Sequence, residues 1–411
     1  MLDALSALMH RATSPATAVV QRRNATPALL SLRNLPDSPP AQTRNAAVFD
    51  GVVCQRPTPP DPLQRFALPT DQGQTLVALL QLHRRVLDPD YHLPFPAPER
   101  AALDSFFARR AQLADTALGT PVPSSAGRDP WPGLAPVRTH AQLLRQLLDG
   151  RKGLVIGEVH AARAGKSLLI GHMPLLRHLG VDTLYLQHLQ GDIHQADLDQ
   201  LHRTGVVSPA LGRFLAGQDQ GHMTDAASGA TFRNLVDAAF NAGIRVVALD
   251  LMTSYHLRGI EDEVGPGASS TTEIRIKVAN HVATRRIEHD QRNQVGKPGP
   301  QRWVALVGNA HAGSFNGISG IAERLGVPSL RVEDTSPCWS SRPQAGCDPG
   351  RTVQADIRRD GGQLQCDYLL KVPAVDGRAR PETPDPCTAT EAMRLREIRQ
   401  AICALPEARS A

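Results

Sequence analysis

Aromatic side chains are scarce, at 4% of the 411 residues, so any core must rest on Leu, Val, Ile and Ala. Apolar residues total 41%, which is enough for a core of that kind. Lysine is rare beside arginine, and the formal charge of +5 is spread along the chain. Without a run of Lys or Arg there is no phosphate-binding stripe, and no nucleic-acid partner is expected. No stretch approaches the ~20 consecutive apolar residues of a membrane-spanning helix. The six cysteines (Cys54, Cys338, Cys347, Cys366, Cys387, Cys403) form no C-x-x-C and no zinc-like pairing. Most of them lie after residue 335, which fits either one or two bridges in that tail or unpaired thiols in a reducing compartment. No Sec signal peptide is expected from the opening residues: the apolar cluster Met1–Arg11 is too short and carries Asp3 early.

Four segments follow from composition and periodicity. Residues 1–60 have Arg and a few Asp but no Glu or Lys, and are otherwise filled by Ser, Thr, Pro, Ala and Asn. Such a segment buries too little to offset its conformational entropy, so disorder is expected. An Arg-rich, acid-poor start fits an organelle transit peptide, and equally the unstructured N-terminus of a bacterial protein exported by a type III apparatus. Residues 61–138 read as a helical accessory region with helices over Gln74–Leu87 and Pro98–Leu118, closed by the Pro/Gly/Ser-rich linker Gly119–Pro136. Residues 139–335 alternate helices with short apolar strands at 153–156, 183–187, 244–250, 302–308 and 328–332. That alternation implies an α/β fold, a mostly parallel sheet with helices on both faces. Residues 336–411 read as an extension with a β-hairpin, Val353–Arg359 and Gln363–Val372 joined through Asp360-Gly361-Gly362, and a short terminal helix over Thr390–Ala404.

Chemistry gathers where the strands end. The first strand is followed by Glu158 and His160, and the second by Gln187 and His188, with Asp192 and His194 shortly after. The third is followed by Asp250, then Tyr255 and His256, and the fourth by Gly308-Asn309-Ala310-His311. In an open parallel sheet all of these face one crevice at the carboxyl edge, where ligands bind. A carboxylate beside an imidazole raises its pKa and fixes its tautomer, so Glu158 and His160 suit a general base. His311 would then be the acid or the transition-state stabiliser. The alternative makes His160, His311 and a carboxylate ligands of a divalent cation that activates water. Spacing leaves both open, because no compact H-E-x-x-H is present.

Two features weigh less. His160-Ala-Ala-Arg-Ala-Gly165-Lys166-Ser167 matches a phosphate-binding loop except for its first glycine, and no Walker-B partner is evident, which disfavours nucleotide binding. His172, His178, His202, His222, His281 and His289 mostly fall on expected helix surfaces, with His222, in Asp219-Gln-Gly-His222, the best further candidate among them.

The strings Ile156-Gly-Glu-Val-His160, Gly180-Val-Asp-Thr-Leu-Tyr-Leu-Gln-His188 and Gly308-Asn-Ala-His311 resemble the superfamily of TIKI proteases, erythromycin esterases and ChaN-like proteins. Within it the likeness is to effector domains of large bacterial toxins, including the Ras/Rap-specific endopeptidase domain and the related domain of dermonecrotic toxins. Asp192-Ile-His-Gln195 and Gly243-Ile-Arg-Val-Val-Ala-Leu-Asp250 extend it, over about residues 150–335. The resemblance implies a bacterial effector, released into host cells, with hydrolytic chemistry on a host protein or small-molecule substrate. It places Glu158, His160 and His311 at active-site positions and Gln187 where the family usually has a second Glu; the strand-end residues His188, Asp192, Asp250 and Asn309, with His222, are expected around the substrate. No cofactor is implied beyond the divalent metal of the alternative above. A neutral amide at 187 takes no proton near neutral pH and neutralises no metal, so either the activity or a two-carboxylate mechanism is in question. Toxin relatives often carry a membrane-targeting helical module ahead of this domain, so peripheral membrane association is a further expectation.

Overall fold

Strand periodicity, rather than any single motif, organises the molecule. In the computed structural model the described residues are 60–88, 91, 94–121, 130–260, 271–294, 301–335, 343–354 and 361–373, all within the compact unit Thr58–Ala411. The segment expected to be disordered lies outside them, apart from Pro60, and so does the expected terminal helix.

Six strands run parallel: β1 (Gly153–Glu158), β2 (Val181–Gln190), β3 (Arg245–Asp250), β4 (Arg302–Gly308), β6 (Ser329–Thr335) and β10 (Tyr368–Pro373). The edge strand β7 (Gln344–Cys347) pairs antiparallel with β10, and the seven-stranded order is β3-β2-β4-β1-β6-β10-β7. Successive side chains on a strand point to opposite faces. Leu154, Ile156, Leu184, Leu186, Val304 and Leu306 therefore pack on one face, under α3 (His140–Leu148), α4 (Ala164–His178) and α7 (Phe232–Asn241). Val155, Tyr185, Val247, Trp303, Ala305 and Val307 pack on the other, against α9 (Thr271–Gln294) and α11 (Ile321–Leu325). Burying both faces explains why the strands read as continuous apolar runs.

Helix α1 occupies Thr70–Leu82, earlier than the periodicity predicts. Asp71 lies in its first turn, and the chain leaves the helix at His83, whose ring meets Tyr91 Oη at 3.0 Å. Val86 and Leu87 are buried from a turn instead. Helix α2 (Ala97–Gly119) matches expectation and lies on α9, with Leu113, Ala114 and Ala117 against Ile274, Val278 and Val282. Arg110, fully buried on α2, donates to the carbonyls of His256 and Arg258 at 3.0 Å each. These bonds brace the loop after β3.

The C-terminal hairpin needs correction. Strands β8 (Arg351–Gln354) and β9 (Gly361–Gln365) do pair antiparallel, beside β5 (Ser314–Phe315) in a small second sheet. The expected second arm does not continue to Val372 in that sheet. It breaks at Cys366-Asp367, and β10 crosses into the main sheet beside β6. The break is held by hydrogen bonds: Ser329 N and Oγ donate to Asp367 at 2.8 and 2.7 Å, and Cys366 N donates to Asp348 at 2.9 Å. Tyr368, Leu369 and Leu370 are buried there, as an interior strand requires. Cys347 and Cys366 are free thiols, and the other four cysteines lie outside the described residues.

Arg331 on β6 fastens this junction. Its guanidinium is buried, pairs with Asp348 at 2.8 Å through Nε and also through Nη2, and meets Glu333, which in turn pairs with Arg351 at 3.2 Å. Removing one partner of a buried pair costs ~3–5 kcal/mol, and Glu333 keeps part of the compensation. Asp348→Ala should therefore lower unfolding free energy by about 3 kcal/mol in urea titrations. Amide exchange should accelerate first at Leu369 and Leu370, and unchanged protection there would show that the pair does not fasten β10.

Candidate active site

Glu158 ends β1 in register with Gly308 of β4, so the first and fourth strands deliver their polar residues side by side. The carboxylate is 2% exposed and sits against Lys166, which is itself fully buried. Lys166 Nζ lies 3.2 and 3.3 Å from the two carboxylate oxygens and 2.8 Å from the carbonyl of His160. One ammonium thus ties the strand end, the following loop and the first turn of α4 together. A Cβ at Gly165 would fall 2.9 Å from Glu158 Oε2, so the helix approaches this closely only with glycine there.

This pair explains the string that imitates a phosphate loop. The amides opening α4 are already occupied by Asp334, which accepts from Arg163 N at 2.9 Å and Ala164 N at 2.7 Å. Gly165-Lys166 therefore clamps a carboxylate of its own chain. Burial pushes the Glu158 carboxyl up to about 7, against the opposing pull of Lys166 and His222.

Strand β2 delivers His188 through an irregularity. Its pairing with β3 slips between Leu186 and Gln190, and His188 adopts a left-handed φ of 74°. A bulge of this kind re-aims side chains, and the left-handed conformation costs on the order of 1 kcal/mol. Asp250 holds it by accepting His188 N at 2.8 Å, and Ser254 Oγ approaches the other oxygen at 3.4 Å. The His188 ring then lies 4.1 Å from that of His160 and 4.8 Å from that of His222, centre to centre. His160 and His222 are 4.9 Å apart. His188 Nε2 stands 3.1 Å from His160 Nε2, while His160 Nδ1 faces Glu158 Oε1 at 3.5 Å. Gln187 Oε1 accepts Gly308 N at 2.6 Å, which leaves its amide nitrogen as a donor.

All four imidazoles are disfavoured as cations. Burial comes first in each case; His222, Lys166 and His311 add to it at His160, and His160, His222, His311 and Lys166 at His188. The same burial lowers His222, with Lys166 adding to it, and takes His311 to about 4, with Arg275 adding to it. His160 keeps 26% of its side chain open to the crevice.

The structure therefore brings together Glu158, His160, Gln187, His188, His222 and His311. Asn309 stands beside them, its Oδ1 close to Gly157 and without a hydrogen-bond partner among the described residues. Asp250 works beneath them as a support. Asp192 is elsewhere, accepting Leu68 N and Met252 N at 3.0 Å each, so it ties the accessory region to α8 (Met252–Tyr255). His281 is buried in α9, against the expectation of a helix surface, while His178 and His202 are exposed. Sequence reasoning missed Lys166 as a site residue and missed Asn280, a buried residue of α9 whose Oδ1 meets His311 Nδ1 at 2.8 Å. The Gly-Lys string offered a signal for Lys166. Nothing local marks Asn280.

For a divalent metal the donor set fits poorly. The cation beside Glu158 is Lys166, and His188 Nε2 is directed at His160. Among the described residues no group of three or more His, Cys, Asp or Glu is arranged to hold a metal ion. No described helix is long and apolar enough to cross a membrane.

No family model matches the chain. It is 32% identical over 200 residues to a multifunctional-autoprocessing repeats-in-toxin of Vibrio vulnificus, covering 47% of this chain and 3% of the toxin. The resemblance to bacterial toxins thus extends from motifs to an alignment of 200 residues, within a small fraction of that relative's length. Superposition finds the crystal structure of RRSP, a MARTX toxin effector domain from Vibrio vulnificus, at TM-score 0.37 and 23% identity, covering 64% of this chain and 44% of that one. The type III effector HopBA1 superposes at TM-score 0.37 and 16% identity, covering 61% and 98%. Both superpositions are too loose to carry a function.

The Lys166–Glu158 pair has a testable pH signature. The Glu158 value of about 7 lies above its ordinary 4.5, so its contribution to stability is intact below pH 4.5 and is lost as pH rises through about 7. Lys166→Met leaves that carboxylate without its cation. The variant should lose ~3–5 kcal/mol near pH 8 and clearly less near pH 5, where the carboxyl keeps its proton. Denaturant titrations at the two pH values check this; equal losses would mean that the pair is not charged.

Proposed function

We propose that the chain is a toxin-like bacterial effector that hydrolyses a peptide or ester bond in a host substrate. The observation that carries this reading is the convergence of Glu158, His160 and His311 at the carboxyl edge of parallel strands, with every imidazole neutral. A neutral imidazole accepts a proton in passing and, with its cation disfavoured by burial, releases it readily, while a carboxyl near 7 can take or give one, which suits hydrolysis at neutral pH. His160, open to the crevice and backed by Glu158 at its Nδ1, holds and polarises the attacking water. His311, across the crevice, completes the proton transfer to the leaving group. Gln187, its carbonyl spent on Gly308 N, offers its amide nitrogen to the substrate carbonyl and orients it. His188 steadies His160, and His222 and Asn309 line the approach.

The likeness to toxin effector domains supports the host as the place of action and a host protein as the substrate class. Expression in cultured host cells, followed by labelling of new protein N-termini, tests both. Wild type should be toxic and generate new termini. Glu158→Gln and His311→Ala should lose both effects while keeping folded circular dichroism spectra, with the unfolding midpoint of Glu158→Gln lowered because Lys166 loses its counter-charge. Toxicity that persists undiminished in both folded variants would sink the catalytic reading.

A second reading has one observation in its favour: at 187 an amide stands where a carboxylate is expected. A catalytically silent protein that binds a ligand in the crevice accounts for it. Gln187→Glu keeps an acceptor for Gly308 N and adds a charge. Hydrolysis that appears only in this variant would identify a silent binding protein; equal activity in both would show the second carboxylate to be dispensable.

A further inference from the structure

His311 differs from the other imidazoles of the crevice in what holds it. Asn280 Oδ1 lies 2.8 Å from His311 Nδ1, and Asn280 Nδ2 donates to the carbonyl of Ser319 at 3.2 Å. Ser319 O is an acceptor only, and it also receives Arg324 Nε at 3.0 Å. Turning the Asn280 amide over would set its oxygen against that carbonyl, so the amide has one satisfactory orientation. The oxygen faces His311, and an oxygen calls for a proton on Nδ1. The neutral ring then carries its lone pair on Nε2, for which no hydrogen-bond partner exists among the described residues.

The neighbouring rings are placed otherwise. His160 faces Glu158 with Nδ1 and His188 with Nε2, so both of its nitrogens are engaged. His188 Nδ1 is buried without a partner among the described residues. His222 has no hydrogen bond to its ring among the described residues, so nothing sets its tautomer. His311 is the ring that combines a fixed tautomer with a free nitrogen.

We infer that Asn280 is a positioning residue that holds His311 with its lone pair on Nε2, so that His311 enters the reaction as the proton acceptor. The tautomer follows from the hydrogen bonds alone; the catalytic consequence rests on the hydrolytic reading above. In that step the water oxygen bonds to the substrate carbonyl carbon while its proton passes to His311 Nε2. The bond to the leaving nitrogen or oxygen then breaks, and the same proton moves from Nε2 to the leaving atom. Atoms and charge balance without a further reactant. The charged and titratable groups around His311 are Arg275 of α9, and His160 and His188 of the crevice. Burial opposes a charged His311, with Arg275 adding to it, so the acceptor form persists at neutral pH.

Long-range proton–nitrogen NMR on protein labelled at histidine nitrogen reads the tautomer directly, with the His311 signals identified by their loss in His311→Gln. The expected wild-type spectrum has protonated Nδ1 and unprotonated Nε2. Asn280→Leu should release the tautomer, moving the Nε2 signal toward the protonated range, and should slow the formation of new N-termini in host-cell extract by tenfold or more. Asn280→Asp keeps an oxygen facing Nδ1 and adds a charge, so the His311 titration and the acid limb of the rate profile should both shift to higher pH. A wild-type His311 protonated at Nε2 overturns the inference whether or not new termini form, and so does an Asn280→Leu variant with the wild-type tautomer. The expected tautomer in a wild type that forms no new termini upholds the positioning role and overturns the acceptor role together with the hydrolytic reading. Should Asn280→Leu not fold, the wild-type spectrum and the Asn280→Asp titration still decide.

Discussion

Lys166 and Glu158 form a charge pair with almost no access to water, and the crevice is built outward from it. Burying two charges is costly, and the pair persists because its geometry is nearly saturated: the ammonium reaches both carboxylate oxygens and a backbone carbonyl. That third bond, to the carbonyl of His160, extends the pair's grip to the loop after β1. Phe232 closes one side, its ring centre 4.8 Å from Nζ, and Gly165 lets α4 come near enough for the contact to form. The ammonium also acts at a distance, because it is among the groups that keep His160, His188 and His222 neutral.

A second layer of support lies under the imidazoles. The slipped pairing in β2 and the left-handed His188 are locally unfavourable, and Asp250 offsets the strain by accepting the displaced amide. Burial lifts the Asp250 carboxyl to about 6, with the His188 amide pulling the other way. Asp192, one helix start further on, binds Leu68 and Met252, and Arg110 of α2 binds the carbonyls after α8. The N-terminal helices are therefore coupled mechanically to the loop after β3, and through Asp250 to His188. They serve the crevice without lining it.

Much of this was legible before any coordinates. The strands β1, β2, β3, β4 and β6 show themselves as apolar runs because a sheet covered on both faces tolerates nothing else, and their ends carry the Glu, His and Asn residues because parallel strands share one carboxyl edge. The errors cluster where neighbours distant in sequence decide. The Gln363–Val372 run reads as one hairpin arm, yet Asp348 and Ser329 cut it at Cys366-Asp367 and send its second half into the main sheet. Asp192 looks like a crevice residue because it follows β2, but two backbone amides from other segments claim both its oxygens. His281 has the spacing of a surface residue on α9, and α9 is covered on more than one side.

The sequence by itself determined the α/β class, the edge at which chemistry gathers, and the identity of Glu158, His160, Gln187 and His311 as residues to watch. Those follow from local rules of period two and period 3.6, and from the topology they imply. Tertiary structure alone decided what each group can do. Whether a carboxyl is charged, which imidazole nitrogen bears the proton, and whether a glycine-lysine string meets a phosphate or a carboxylate all depend on desolvation and on partners eight to well over a hundred residues away. Glu158 was a carboxylate at a strand end in the sequence. In the fold it is half of a buried ion pair, because Lys166 comes round one helical turn to meet it where water cannot.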